Sequence, residues 1–322
     1  PWDQYAQSVV RDFAAGGMEN TSATTLTLGA LRGRAGSMDD LIAHELIHQW
    51  LGDLITCKTW EHLWLNEGWA TYGEALWAEH VGGRESPEKA REMYLRQIQQ
   101  MVRQQRFMNR AVAPEFTAMA TFRYSNPDDL FIRPDDVYSK GGIVLHMLRS
   151  MLGDDAFFRG VRLYVDRYKD GVVETDDFRR VMEEVSGRSL EQFFDQWVYR
   201  PGVPRLELDY GFEGGTVSVR AEQTQTVDRF NPAYVFDLPL VIETAGGGKQ
   251  TVVLPVDGKT AEGSFQIEGT PTRIVVDPEL MVFAVNRVRT PLPGAAEPSE
   301  EPAGRRGSEA GAAAEPAAAG AP

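Results

Sequence analysis

Two histidines four residues apart, His44 and His48, bracket the run His44-Glu45-Leu46-Ile47-His48. On an α-helix, positions i and i+4 share a face, so both imidazoles can reach one ion. Zinc accepts neutral imidazole nitrogen at about 2.0–2.1 Å, and a catalytic zinc keeps one position of its tetrahedral shell open. Glu45 then projects beside that open position and fits the role of general base toward a water there. Such a centre needs a third protein ligand. Glu67 lies 19 residues after His48, inside Trp64-Leu65-Asn66-Glu67-Gly68-Trp69-Ala70. A turn and a second helix between the two would return its carboxylate to the first. Glu74, two turns further along the same helix face, reads either as the hydrogen-bond partner of a ligand histidine or as a surface ion-pair residue. Asn66 reads as a helix cap. His62, His80 and His146 have no partner at metal-ligand spacing and read as surface or structural residues.

Those side chains require particular elements. The opening 35 residues read as extended, with Val9-Val10 in one segment and a Thr-rich run at Thr24–Leu28 in another. Between them Gly16-Gly17-Met18-Glu19-Asn20 marks a turn or strand edge. A helix carrying both histidines is expected from Ser37, with Ser37 and Asp40 as a capping box. Further helices are expected over Trp64–Trp77, from Ser86 and Pro87 to Phe107, over Tyr138–Met151, Asp155–Tyr168 and Thr175–Val185, with residues 110–133 irregular. A last helix opens on the box Ser189-Leu190-Glu191-Gln192 and ends at Pro201-Gly202. From Pro204 the pattern changes to short strands with Gly-rich turns: Leu206–Tyr210, Thr216–Ala221, Val235–Glu243, Gln250–Leu254, Ser264–Ile267, Arg273–Val276 and Val282–Val285. These suggest a small β-sandwich. The Ala/Pro/Gly-rich residues 291–322 read as disordered.

Composition narrows the function classes. The 322 residues carry 47 acidic and 33 basic side chains, a net charge of −14. An acidic chain repels phosphate backbones, so nucleic acid is not an expected partner. One cysteine, Cys57, excludes an intramolecular disulfide framework. No stretch of about 18 apolar residues is present in the visible chain, so no membrane span is read. The chain opens on Pro1 without a leader pattern and reads as a fragment or processed product. A cytoplasmic or an exported location both remain open.

Together, Gly16-Gly17-Met18-Glu19-Asn20, the His44–His48 helix and Glu67 after 18 intervening residues resemble the M1 family of zinc aminopeptidases, the gluzincins that include aminopeptidase N and leukotriene A4 hydrolase. Tyr138-Ser139-Lys140-Gly141 matches that family's Tyr-x-Lys-Gly segment. The likeness continues through the helices to about residue 200 and, more weakly, through the β-rich part.

The resemblance implies an α+β fold: an N-terminally incomplete thermolysin-like zinc metallopeptidase domain over 1–203, a β-sandwich over 204–290 and a tail over 291–322. It implies one zinc ion held by His44, His48 and Glu67, with Glu45 as general base and Tyr138 stabilising the oxyanion. It implies that the backbone of Gly16–Asn20 pairs with an extended peptide while Glu19 binds its free α-amino group. Gly17 stands where the family commonly has Ala, a change expected to leave the strand pairing intact. The family's N-terminal domain precedes the exopeptidase motif and is expected to dock on the catalytic domain. A gluzincin endopeptidase, an epoxide hydrolase of the same fold and a noncatalytic family-derived scaffold are the alternatives. Glu19 in its motif argues against the first, and the complete donor set argues against the last.

Overall fold

The computed structural model describes residues 1–29, 38–111, 118–131, 133 and 135–290. The expected cap at Ser37 and the expected tail over 291–322 lie outside these residues, as do 112–117 and 132 of the expected irregular stretch. The fold is α+β. Strands β1 (Ala6–Val10), β2 (Gly17–Met18) and β3 (Ala23–Thr27) form a sheet of order β1-β3-β2. β3 runs parallel to β1 and antiparallel to β2, pairing Gly17 with Leu26 and Met18 with Thr25. β2 is therefore an edge strand, while Thr24 and Leu26 of β3 point into the core.

Helix α1 (Asp39–His48) follows, its first turn carrying Asp39 and Asp40 where the helix dipole favours carboxylates. A short strand, β4 (Ile55–Cys57), leads to α2 (Trp64–Gly83), which runs a turn and a half past the expected end at Trp77. α2 has no polar cap. Asn66 sits inside its first turn and accepts a hydrogen bond from the Cys57 amide at 3.2 Å, fixing α2 to β4 instead of capping it. Ser86 does cap α3 (Pro87–Ala111), accepting from the Lys89 amide at 3.1 Å.

Helices α4 (Ser139–Leu152), α5 (Asp154–Tyr168), α6 (Thr175–Ser186) and α7 (Glu191–Phe194) complete the helical part. β5 (Gly171–Val173), between α5 and α6, pairs in parallel with β4, a pairing too short to show as a periodic pattern. Gly187 ends α6 at φ 67°, as its position suggested. The Ser189 capping box does not form. Leu190 is the residue that opens α7, its amide donating to Glu183 Oε1 at 2.7 Å, and a π-turn over Asp195–Tyr199 follows.

Seven strands follow: β6 (Arg205–Glu213), β7 (Thr216–Gln223), β8 (Phe236–Thr244), β9 (Lys249–Val256), β10 (Thr260–Gln266), β11 (Pro271–Val276) and β12 (Val285–Thr290). They form a four-stranded sheet, β10-β7-β6-β12, and a three-stranded sheet, β11-β8-β9. Alternate residues such as Leu206, Leu208, Val217, Val219, Leu238 and Leu240 are buried, as period-two patterning requires. The last strand starts at Val285, where the expected one ends. Asp277 accepts from the amides of Met281 and Val282 at 2.8 and 2.7 Å, holding that segment in a turn while Val282, Phe283 and Ala284 fill the core.

One contiguous apolar core joins the helices to both sheets. His146 of α4 is buried at its edge. Its Nδ1 accepts from the Tyr94 hydroxyl at 2.8 Å and its Nε2–H donates to the Glu279 carbonyl at 3.0 Å, an arrangement that uses the neutral ring. Burial, helped by Arg91 and Arg149, pushes its pKa down to about 4. The native state therefore refuses a proton that the unfolded chain accepts near pH 6.5. This contribution is complete above pH 6.5 and is lost as pH falls toward 4. We expect His146 to cost the native state about 2 kcal/mol at pH 5 relative to pH 8. Urea unfolding across that range should show a shallower pH dependence for His146→Gln than for the unsubstituted chain; equal slopes would contradict the assignment.

Candidate metal centre

The pairing of α1 with α2 gathers the predicted donors. His44 Nε2 and His48 Nε2 each lie 3.3 Å from Glu67 Oε2, and the three donor groups fall within 4.8 Å of one another. The two rings meet edge to face with centroids 5.0 Å apart. Each imidazole is oriented through its other nitrogen. His44 Nδ1 lies 2.9 Å from Glu74 Oε1, and His48 Nδ1 lies 3.3 Å from the Leu51 carbonyl. Of the two readings of Glu74, the contact with a candidate ligand histidine is the one present in the structure.

The donor set suits a tetrahedral metal. Bonds of about 2.0–2.1 Å from a tetrahedral ion give donor–donor edges of about 3.3–3.4 Å, the separation seen between Glu67 and both histidines. Outer hydrogen bonds to each ring nitrogen opposite the ligand atom are also what such sites require. The carboxylate and the imidazoles also hold one another. Burial disfavours the charge on Glu67, yet the two histidines outweigh it and bring its pKa down to about 2. Burial likewise opposes the charge on His44, but Glu67 and Glu74 raise its pKa to about 10. Glu45 is 4% exposed, and its Oε2 is buried without a hydrogen-bond partner. Burial pushes its pKa up to about 7, against the pull of His44 and His48. A buried carboxylate oxygen with no partner, beside three converging donors, marks a place for a polar occupant.

Tyr138 is brought to this centre by a backbone contact. Gly68, next to Glu67, and Gly141 of α4 touch so closely that a Cβ on Gly68 would stand 2.9 Å from Gly141 Cα. Only glycine permits that approach. It sets the Tyr138 ring 6.0 Å from the His44 ring, nearly parallel. Burial and the neighbouring carboxylates raise the phenol's pKa well above its usual value, so it stays a proton donor. Asp136 caps α4 by accepting from the Ser139 amide at 2.6 Å. Lys140, fully buried, pairs with Asp135 at 2.9 Å, while Asp135 accepts from the Gly202 amide at 2.7 Å and Lys140 donates to the Gly202 carbonyl at 3.3 Å.

The Gly16–Asn20 segment lies along α1. Glu45 occupies the space above Gly17; a Cβ there would overlap its carboxylate and stand 2.8 Å from its Cγ. The Gly for Ala difference is thus felt by Glu45 more than by the β2 pairing. Met18 is exposed, and Asn20 donates to Thr25 Oγ1 at 2.9 Å, within its own sheet. The Glu19 charge is near enough to act on Glu45, His48, Tyr138 and Asp53. Asp53 itself has an unpartnered buried Oδ2 and a pKa pushed up to about 6 by burial and by Glu19. Gln49, 1% exposed, clasps the segment from α1: its Nε2 donates to the Glu19 carbonyl at 3.1 Å and its Oε1 accepts from the Ser22 amide at 2.7 Å. Sequence reading passed over Gln49 and Asp53. The available signal was a polar residue at each end of the apolar Trp50-Leu51 turn that closes the helix.

A helix bearing His-Glu-x-x-His, faced by a glutamate from the next helix and by an edge strand, has the architecture of a metallopeptidase. The pattern described as the peptidase family M1 domain matches residues 1–197. The chain belongs to peptidase family M1. It is 33% identical over 224 residues to aminopeptidase N of Streptomyces lividans, an alignment covering 65% of this chain and 25% of that protein. Against aminopeptidase N of Lactococcus lactis subsp. lactis it is 32% identical over 207 residues, 62% of this chain and 23% of that one. The crystal structure of Legionella pneumophila aminopeptidase A in complex with aspartic acid superposes with a TM-score of 0.69 at 18% identity, covering 88% of this chain and 32% of that chain. The chain thus spans about a quarter to a third of the length of these proteins.

Gln49 gives the site a test independent of turnover. Gln49→Leu removes both clasping bonds and leaves the half-buried Ser22 amide without that partner, a loss of about 1 kcal/mol. Gln49→Glu still accepts from Ser22 but cannot donate to the Glu19 carbonyl. Hydrogen exchange at the Ser22 amide should quicken in Gln49→Leu and stay slow in Gln49→Glu; unchanged exchange in Gln49→Leu would show that Gln49 does not hold the segment.

Proposed function

We propose that this chain is the catalytic part of a zinc-dependent aminopeptidase that hydrolyses the N-terminal peptide bond of peptides. The observation that carries the reading is the meeting of His44, His48 and Glu67 with an unpartnered Glu45 oxygen, beside an edge strand that Glu19 directly follows. His44 Nε2, His48 Nε2 and Glu67 would hold the ion. When bound, zinc supplies Lewis-acid polarisation of the scissile carbonyl and makes a water more acidic.

The chain's own groups do the rest. The free edge of β2 takes an extended peptide as an added strand, and the exposed backbone supplies the hydrogen bonds. Glu19 pairs with the peptide's ammonium, and Asp53 adds a second carboxylate at that end. Glu45 removes the attacking water's proton at its carboxylate and later delivers it to the departing amine nitrogen. Tyr138 donates its phenolic proton in a hydrogen bond to the carbonyl oxygen as charge develops there. Glu74 and the Leu51 carbonyl keep the imidazoles in the tautomer that presents Nε2. The family's N-terminal domain would dock against β1, whose Val9 and Val10 are exposed. No helix among the described residues is long and apolar enough to cross a membrane.

His48→Ala should lose zinc, since two donors remain; full occupancy by elemental analysis would sink the ligand assignment. Glu45→Gln should keep zinc while turnover of an aminoacyl substrate falls by roughly 10²–10⁴. Free and N-acetylated forms of one peptide separate the exopeptidase from the endopeptidase reading. Equal cleavage of the two would replace the aminopeptidase with an endopeptidase.

A further inference from the structure

A second cavity opens beside the centre, between α2, α3 and the start of α4. It has a volume of about 290 Å³, with His44, Glu74 and Tyr138 on one wall. The opposite wall is Gln97, Gln100 and Gln104, one face of α3 at i, i+3 and i+7 spacing. Thr71 lines it too; this residue is 7% exposed and its Oγ1 has no hydrogen-bond partner. Gln97 Nε2 donates to Asp40 Oδ1 at 3.1 Å, which leaves its carbonyl oxygen available. Gln100 and Gln104 reach the rim as exposed side chains.

The direction of the site says which part of a substrate meets this cavity. β2 runs alongside α1: Gly16 faces Leu41, Gly17 faces Glu45, and the Glu19 carbonyl is held by Gln49. The carboxylates of Glu19 and Asp53 therefore lie at the C-terminal end of α1. A peptide anchored there by its ammonium extends past the donor cluster toward the N-terminal end of α1, where Asp40 is bonded to Gln97. We propose that the glutamine-walled cavity receives the first side chain of the leaving peptide and favours a neutral hydrogen-bonding one, a carboxamide or hydroxyl. This rests on the aminopeptidase reading for the direction of the substrate. Carboxamides and the Thr71 hydroxyl both donate and accept, which a carboxamide can match on both sides. An aliphatic side chain leaves the Thr71 oxygen unpaired, and an acidic one meets the carboxylate of Glu74.

The test uses the zinc-loaded chain and its Gln100→Leu and Thr71→Val variants. Gln100→Leu alters an exposed helical position and so leaves folding intact. Hydrolysis of the dipeptides Ala-Gln, Ala-Leu and Ala-Glu gives kcat/KM ratios, and NMR titration with L-glutamine and L-leucine, the free products, gives binding without turnover. One extra hydrogen bond corresponds to about a tenfold preference for Ala-Gln over Ala-Leu. Ala-Glu should be the poorest of the three, and both variants should narrow the Gln/Leu ratio in hydrolysis and in binding. Hydrolysis of all three at one rate, with L-glutamine bound no better than L-leucine, overturns the cavity assignment and leaves the aminopeptidase reading standing. Preferential L-glutamine binding that the variants abolish, with no dipeptide cleaved, upholds the cavity and overturns that reading.

Discussion

A largely buried carboxylate pressed between two imidazoles is costly to build and costly to leave half built. Glu67 has one oxygen 3.3 Å from each histidine, and the histidines outweigh the burial that disfavours its charge. Each surrounding device serves to keep that arrangement from relaxing. Asn66 pins the first turn of α2 to β4, Glu74 and the Leu51 carbonyl hold the outer faces of the rings, and α1 is tied through Gln49 to the strand beside it. Such preorganisation matters because groups that need not move when charge develops supply their full electrostatic effect.

The fold divides this labour between rigid and accessible parts. The helices meet backbone to backbone at Gly68 and Gly141, so the spacing between Glu67 and Tyr138 does not depend on side-chain rotamers. The element that packs on Glu45 is instead a two-residue strand at a sheet edge. An edge strand left free is usually a liability; here Glu45 of α1 packs against it at Gly17.

Much of the site was legible in the sequence because helical period and ligand spacing are local facts. His44 and His48 share a face by their numbering alone, and Glu67 was read from its surroundings after them, whereas the strand β4 between the two helices was not read. The strands after Pro204 were legible from period-two patterning, though the last was misplaced because the Asp277 carboxylate, and no pattern of apolar residues, decides where it begins. Asn66 and Ser189 were misread for one reason. A polar residue near a helix start resembles a cap in sequence, whereas tertiary partners, Cys57 for the first and Glu183 competing at the second, determine what is satisfied. Gln49 left only a polar residue at the end of the helix as a signal, because both of its partners are backbone atoms.

The Lys140–Asp135 pair has a bearing on how this chain can be divided. Both charges are buried, and part of their compensation comes from the amide and carbonyl of Gly202, at the point where helices give way to strands. A shorter piece ending before Gly202 would hold the whole donor set and keep the pair, yet each interior charge would lose a hydrogen bond, a cost of about 1–3 kcal/mol apiece. The helical half detached there would carry a buried pair with two of its hydrogen-bond partners gone. The residue that ends it in sequence is also one of the groups that hold the helix of Tyr138 in place.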